Sequence, residues 1–589
     1  MPRTTLALTS FVSGEFSAKM DGRTDFEKYT SGVKTMENFL VHPQGAATRR
    51  VGTQHIAEVK DSTKKTRLIP FEFSTTQTYI LEFGDQYIRF FKDKGQILSG
   101  GSAYEIASPY LEAELFDIKF AQSADVMYLC HPNHDVRKLS RTGHTSWTLA
   151  TVSFTGSPSL PISGANNRPS CVSFFEQRLV FANTITNPQT LWFSKAGDYE
   201  NFTTGTNADD AMIYTIASNQ VNAIQYLKAV RTLVVGTSGG EFTVSADGTD
   251  ASITPTNVTI KRQSSFGSAG VDAIPAGNAV LFLQKAKRKI RELAYNFDSD
   301  GYVAPDLTIL NDTVTKSGVN QMIFQQEPDS IIWCVRDDGV LAGLTYQRSE
   351  NVVAWHRHIF GGAFGSGNAV CESAASISGT LTEDELWVIV KRTINGATKR
   401  YVECFSDFDF DETTATDFKF LDSHLNYSGS ATTTLSGLSH LEGQTVSILA
   451  DGSVHANKTV SSGAITLDRS VTKACVGLAY DSVLQTMRIE GGAAEGTSQG
   501  KTKRISKVVL RLFETVGVKV GPSLDQLETV PFRTTSSNLS APVDTLLAGD
   551  KEIEFRDDYN SDGFIFIKQD QPLPCSVLAI YPTVVTSDG

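Results

Sequence analysis

The sequence predicts an all-β protein: a β-propeller of about seven blades, with an inserted small β-barrel and a C-terminal β domain. Three observations predict it. Helical periodicity is scarce, whereas short alternating runs rich in Val, Ile, Phe, Tyr and Thr recur between Gly, Asp, Asn and Ser. One unit, an apolar strand, a polar turn and a second strand, returns about seven times at intervals of roughly 45 to 55 residues. After about Phe410 the texture changes to a Thr/Ser/Gly-rich stretch with short strands and "DG" and "SG" turns.

The repeated unit begins with "TYILEFGDQYIRFF" from Thr78, "VMYLCHPNHDVRKL" from Val126 and "QRLVFANTITNPQTLWFS" from Gln177. It continues with "RTLVVGTSGGEFTVS" from Arg231, "NAVLFLQKAKRKIRELAY" from Asn278, "SIIWCVRDDGVLAGLTY" from Ser330 and "ELWVIVKRTINGATKRYVECF" from Glu385. Another strand-like run precedes each copy, and a Trp or Phe often follows, as at Trp147, Trp192 with Phe202, and Trp355. A hairpin inside a unit of about fifty residues fits four-stranded blades set radially about an axis. Neighbouring blades cover both faces of such a hairpin, so it reads as nearly continuous apolar sequence. A row of β-sandwiches with coincidental spacing is the alternative. The WD dipeptide, the kelch double glycine and the Ser-x-Asp-x-Gly-x-Thr-Trp box are all missing.

These signals divide the chain into an N-terminal leader (1–60), the propeller (61–410), the inserted small β-barrel (411–495) and the C-terminal β domain (496–589). In the leader, "NFLVHPQGAATRRVG" turns at Pro43 and Gly45 and brings Arg49 and Arg50 toward the first blade. That pair is expected to meet an acidic neighbour within the fold or between copies of the chain. In the last domain, the lysines of "GKTKRISKVVLRLFETVGVKVG" from Gly500 alternate with apolar residues and are expected on the solvent face of one strand.

At 589 residues the chain is too long for one hydrophobic core. Its formal charge of -12 argues against a duplex-DNA reader, which needs a basic face to neutralise phosphates. No apolar run approaches the roughly 18 residues that cross a bilayer, so no membrane segment is expected. The opening "MPRTTLALTSFVSGEFSAKM" lacks a signal-peptide cleavage site and reads as mature structure. The seven cysteines, at 130, 171, 334, 371, 404, 475 and 575, are widely spaced with no Cys-x-x-Cys pair. Reduced, buried thiols are the expectation.

Candidate chemistry is sparse. "RDDYNSDG" offers Asp558, Asn560, Asp562 and Gly563 as the first half of a calcium loop, but its twelfth position is Gln569 where a bidentate Glu belongs. An Asx-rich turn explains the same residues. "FSDFDFDE" places Asp407, Asp409 and Asp411 on one face of a strand, as a cation cluster or a plain linker. "CHPNH" brings Cys130, His131 and His134 together in a hairpin turn without a fourth zinc partner. The glycines around Gly239 lack a following Lys-Ser/Thr and read as a turn. Neither a Gly-x-Ser-x-Gly elbow nor a His-Glu-x-x-His motif occurs. No catalytic residue and no cofactor is expected, and the chain is not expected to be an enzyme.

The order of motifs resembles the nozzle proteins of short-tailed phages, also called tail tubular protein B. "GRTDFEKYTSGVKTMENFLVHPQGAATRRVGTQHI" is similar to the opening of that family. The third unit, "RPSCVSFFEQRLVFANTITNPQTLWFSKAGDYENF", is the best match, and the segment beginning "DDAMIYTIASN" at Asp209 follows it. The terminal "IKQDQPLPCSVLAIYP" looks like the family's last strand pair. "GLSHLEGQTVSILADG" and "VGLAY" resemble the small β module named after the first catalytic cysteine half-domain of ubiquitin-activating enzymes. The resemblance implies a structural protein of the virion tail, assembled in the host cytoplasm and forming a homo-oligomeric ring of six copies by family analogy. It implies contacts with a head–tail adaptor and with tail fibres or tailspikes. Genomic DNA would pass through the lumen without sequence-specific binding and be retained and ejected there. Two rivals are a surface or secreted carbohydrate-binding propeller and a propeller hydrolase acting on host envelope.

Overall fold

Seven antiparallel sheets, each read from the axis outward, account for residues 67–405. The computed structural model describes residues 3–156, 158–217, 220–248, 251–379, 383–407, 415–491, 497–532 and 546–587. Blade one starts on the inner strand Arg67–Ser74, blade two on Lys119–Ser123 and blade three on Cys171–Phe175. Blades four to seven start on Ile224–Ala229, Ile274–Ala276, Val319–Gln325 and Val370–Ser378. The repeated hairpin of the sequence is the second and third strand of each blade. In blade six these are Ile331–Arg336, buried at every position, and Leu341–Gln347, buried at all but its last.

Their burial follows from the radial stacking. A separate apolar cluster fills each of the seven gaps between neighbouring blades. Phe71, Tyr79 and Phe90 of blade one, for example, surround Trp147 of blade two with ring centroids 4.5 to 5.3 Å apart. Tryptophans are held at both ends: Trp333 Nε1 donates to Gln325 Oε1 (2.8 Å), and Trp355 Nε1 donates to the Leu307 carbonyl (2.9 Å).

Blade seven contains only three strands from its own stretch of chain. Its fourth, outermost strand is Thr53–Glu58, which runs antiparallel to Ala397–Phe405 with Phe405 opposite Thr53. The ring is therefore closed by a strand lying within residues 1–60. Other strands of that segment travel further. Gly32–Glu37 joins the outer edge of blade six, next to Val352–His358, and pairs on its other side with Ser482–Thr486. The result is one ten-stranded sheet running from blade six into the C-terminal domain.

A second sheet, built on Thr502–Thr515 and Ser576–Ser587, also takes in Phe39–Val41 and Ala47–Arg49. The two sheets share a core in which Val33, Met36, Phe39 and Val41 touch Leu484, Val508, Leu510 and Ile567. The C-terminal β domain is thus a sandwich completed by N-terminal strands. Between propeller and sandwich, the inserted module pairs Asp422–Ser436 with Ala464–Leu478, and Thr445–Ala450 with Ser453–Thr459, around its own core. It meets blade seven through a bridge from His424 to Gln54.

The basic strand of the last domain departs from the expected pattern at one place. Lys503 is fully buried and its Nζ donates to the Ile489 carbonyl (3.1 Å), because the alternation of the strand points this position into the sandwich core. Lys507 and Arg511 do pair at the surface, with Glu552 and Asp550. All seven cysteines are free and buried.

Candidate functional site: a buried junction and an axial channel

Arg49 and Arg50 lie where blade six, blade seven, the inserted module and the sandwich meet, and both are fully buried. Arg50 makes a two-pronged pair with Asp422, Nη1 to Oδ1 at 2.8 Å and Nη2 to Oδ2 at 2.7 Å. Its Nε donates to Asn38 Oδ1 (3.0 Å) and its guanidinium lies 3.7 Å from the centre of the Tyr480 ring. Asp422 also accepts from the Gly361 amide (2.8 Å). Burial pushes the Asp422 carboxyl up, but Arg50 outweighs it and holds the group below its ordinary value. Beside this pair, Thr53 Oγ1 donates to Glu403 Oε2 (2.7 Å), and Glu403 pairs with the fully buried Arg392.

Arg49 meets carbonyls instead of a carboxylate. Its Nη1 donates to Leu573 O (2.9 Å) and Gln571 O, and its Nη2 to Tyr480 O (2.9 Å). The two neighbouring arginines therefore fasten different parts: Arg50 ties the leader to the inserted module, and Arg49 ties it to the loops that lead into the C-terminal strands. Sequence reading singled out the arginines but not Asp422, which is 372 residues away.

Buried imidazoles surround the junction. His424, beside Asp422, and His356 in blade six are each fully buried, and burial drives both pKa values down to about 3. Both are thus neutral when folded and titrate near 6.5 when unfolded. A base with a depressed folded pKa contributes stability that is complete above pH 6.5 and lost as pH falls toward 3. Each histidine should cost about 1.4 kcal/mol per pH unit in that window. Urea midpoints measured from pH 7.5 to 4.5 should begin to drop near pH 6.5. A flat profile down to the carboxylate range would contradict this.

The other candidates resolve as follows. Asn560 Oδ1 accepts from the amides of Asp562 (2.9 Å) and Gly563 (2.7 Å), while Asp562 pairs with Arg488 (2.8 Å). Asn560 Nδ2 donates to the Asp558 carbonyl (3.0 Å). These residues form a hydrogen-bonded Asx turn, and Gln569 is buried with its Nε2 on the Val516 carbonyl. Asp407 pairs with Lys94; Asp409 and Asp411 lie outside the described residues. Gly239 sits in the turn between Leu233–Thr237 and Gly240–Ser245.

His131 and His134 face each other across the blade-two hairpin, whereas Cys130 belongs to an apolar cluster with Trp192. Glu114, from the short turn Glu112–Asp117 ahead of the blade, joins the histidines with candidate ligand atoms within 4.8 Å of one another. Among the described residues this is the only such grouping. Hydrogen bonds already engage it: Glu114 accepts from His134 Nε2 (2.8 Å), Asn133 Nδ2 (3.0 Å) and the Leu111 amide (3.0 Å). His131 Nδ1 accepts from the Asn133 amide (3.1 Å). Burial pushes the Glu114 carboxyl up, but these donors pull it down to about 2.

The seven inner strands enclose an axial channel of about 480 Å³. Its wall carries Arg67, Lys119 and Lys228 from blades one, two and four, and Asp272 just ahead of the inner strand of blade five. Lys119 Nζ donates to the Gly270 carbonyl (2.7 Å) and pairs with Asp272 (3.0 Å). Arg67 is 6% exposed; its Nη1 donates to Leu115 O and Ile118 O, both at 2.8 Å, while its Nε has no partner. No sequence signal singled out these four residues, because they come from four separate repeats.

No family model matches the chain, and no curated protein matches it. Similar solved structures include the β-propeller domain of Myceliophteria_thermophila Cps50 (Swd1), at 9% identity, covering 60% of this chain and 100% of that one, with a TM-score of 0.38. The Neurospora crassa Pan2 WD40 domain is 8% identical, with coverage of 62% and 96% and a TM-score of 0.36. The RRP9 WD40 repeats are 9% identical, with coverage of 61% and 100% and a TM-score of 0.39. These findings correct the expectation of a phage tail nozzle: the solved structures named here are propellers of eukaryotic WD40 proteins, and none of them is a tail protein. They support neither the carbohydrate-binding nor the hydrolytic reading. What the chain and these structures share is the β-propeller fold.

Proposed function

We propose that the chain is a non-catalytic structural scaffold that holds a propeller and a β sandwich in one fixed arrangement. The observation that carries this reading is the ten-stranded sheet running without a break from blade six into the sandwich. Backbone hydrogen bonds across that sheet resist bending far better than a flexible linker between domains does. The Arg50–Asp422 pair supports the same reading, since it fastens the inserted module at the point where the two bodies join.

A scaffold of this kind unfolds as a unit. Differential scanning calorimetry should give one transition whose calorimetric and van't Hoff enthalpies agree, although chains of this length ordinarily melt domain by domain. Two separated transitions, one for the propeller and one for the sandwich, would overturn the proposal.

A further inference from the structure

The axial channel has a charge balance opposite in sign to that of the chain as a whole. The chain as a whole carries a formal charge of -12, yet three cationic side chains and one carboxylate are named on the channel wall above. The imbalance is costly where it stands. Burial pushes the Lys228 ammonium down from its ordinary value, and Asp272 restores only part of that. Burial pushes the Asp272 carboxyl up, but Lys119, Lys228 and Arg67 together hold it below its ordinary value. One carboxylate is thus shared by three cations, and it is already engaged by Lys119.

A donor is also left over. Among the described residues, no hydrogen-bond acceptor engages Lys228 Nζ, although the side chain lines the cavity. Lys228 Nζ is thus a charged donor open to the channel, which an incoming acceptor that is itself negative can engage. Arg67 lines the same cavity and adds its fixed positive charge to the wall. A net excess of two positive charges in a recessed, solvated channel between protein walls also focuses the field on its axis, against the sign of the molecular surface.

We propose that the axial channel is a binding site for a doubly charged oxyanion, a phosphate group, held by Lys228, Lys119 and Arg67. The proposal goes beyond the scaffold reading and does not depend on it. Phosphate supplies several strong acceptor oxygens and balances the excess charge, and lysine and arginine are its usual protein partners. Asp272 acts in the opposite sense: it competes for the same cations and weakens the site. The cavity of about 480 Å³ has room for a free phosphate or for a phosphate monoester carried by a larger molecule.

Opposed variants give the test. Inorganic phosphate and glycerol phosphate are titrated calorimetrically into the full chain, in a buffer without other oxyanions. At least one should bind with one-to-one stoichiometry. Lys228→Gln should weaken binding about tenfold, and Asp272→Asn should tighten it about tenfold, because one unit charge is removed from each side of the balance. Tighter binding of inorganic phosphate identifies the free ion as the ligand; tighter binding of glycerol phosphate identifies an ester. The proposal is overturned if neither probe binds the wild type or Asp272→Asn, or if Lys228→Gln binds as well as the wild type. Should Lys228→Gln fail to fold, the direction of the change in Asp272→Asn decides.

Discussion

Replacing Arg50 with alanine is expected to lower the unfolding free energy by about 3–5 kcal/mol, the cost of breaking a buried pair from one side. The substitution leaves Asp422 charged and buried, with the Gly361 amide and a longer contact from Thr53 Oγ1 (3.4 Å) as its remaining donors. It also removes the nearer of the two guanidinium groups over the Tyr480 ring and the donor to Asn38. Arg50→Lys should recover little, since an ammonium cannot span both carboxylate oxygens. If uncompensated charge is the cause, Arg50→Met combined with Asp422→Asn should be more stable than Arg50→Met alone, because the amide oxygen can still accept from Gly361. Urea denaturation of the variants decides the matter. A loss below about 1 kcal/mol for Arg50→Ala, the range of an exposed ion pair, would show that the junction is not held this way.

Removal of residues 1–60 should abolish cooperative folding. The deletion strips the outer strand from blade seven and takes Gly32–Glu37 out of the middle of the ten-stranded sheet. It also removes three strands of the other sandwich sheet. Val33, Met36, Phe39, Leu40 and Val41 are each at most 1% exposed. At about 1.5–3 kcal/mol for each large apolar side chain, their burial alone contributes roughly 8–15 kcal/mol. That is as large as the whole stability of a typical domain, about 5–15 kcal/mol. Circular dichroism on heating and limited proteolysis of a chain starting at residue 61 provide the measurement. A sharp transition within a few degrees of the full chain would show that these strands are dispensable.

How much of this was legible in the sequence depends on where a strand sits. The hairpin "SIIWCVRDDGVLAGLTY" could be read because blades five and seven cover both of its faces, and burial on both faces leaves apolar residues at nearly every position. Inner strands such as Lys119–Ser123 and Ile224–Ala229 are short and mixed, because they border a solvated channel. The channel cations were therefore invisible: Arg67, Lys119 and Lys228 converge only through the closure of the ring. Glu114 was missed for a related reason, since it reaches His134 from a turn outside the hairpin. The leader was legible as a turn at Pro43 and Gly45, but strand pairing carries no local signature of its partner. Nothing in "TQHIAE" announces that it completes a blade whose other strands lie beyond residue 370.

The same threading constrains how the molecule is made. Thr48 pairs with Ser576 and Thr5 with Thr583, separations of 528 and 578 residues. At about 5–20 residues per second, a ribosome needs roughly half a minute to two minutes to deliver the second partner after the first. Throughout that interval Phe39–Val41 and Ala47–Arg49 wait as apolar segments without the sheet that covers them, the condition under which strands find the wrong neighbour. The closing strands are made long before the strands they meet, and their docking is gated by translation of those partners.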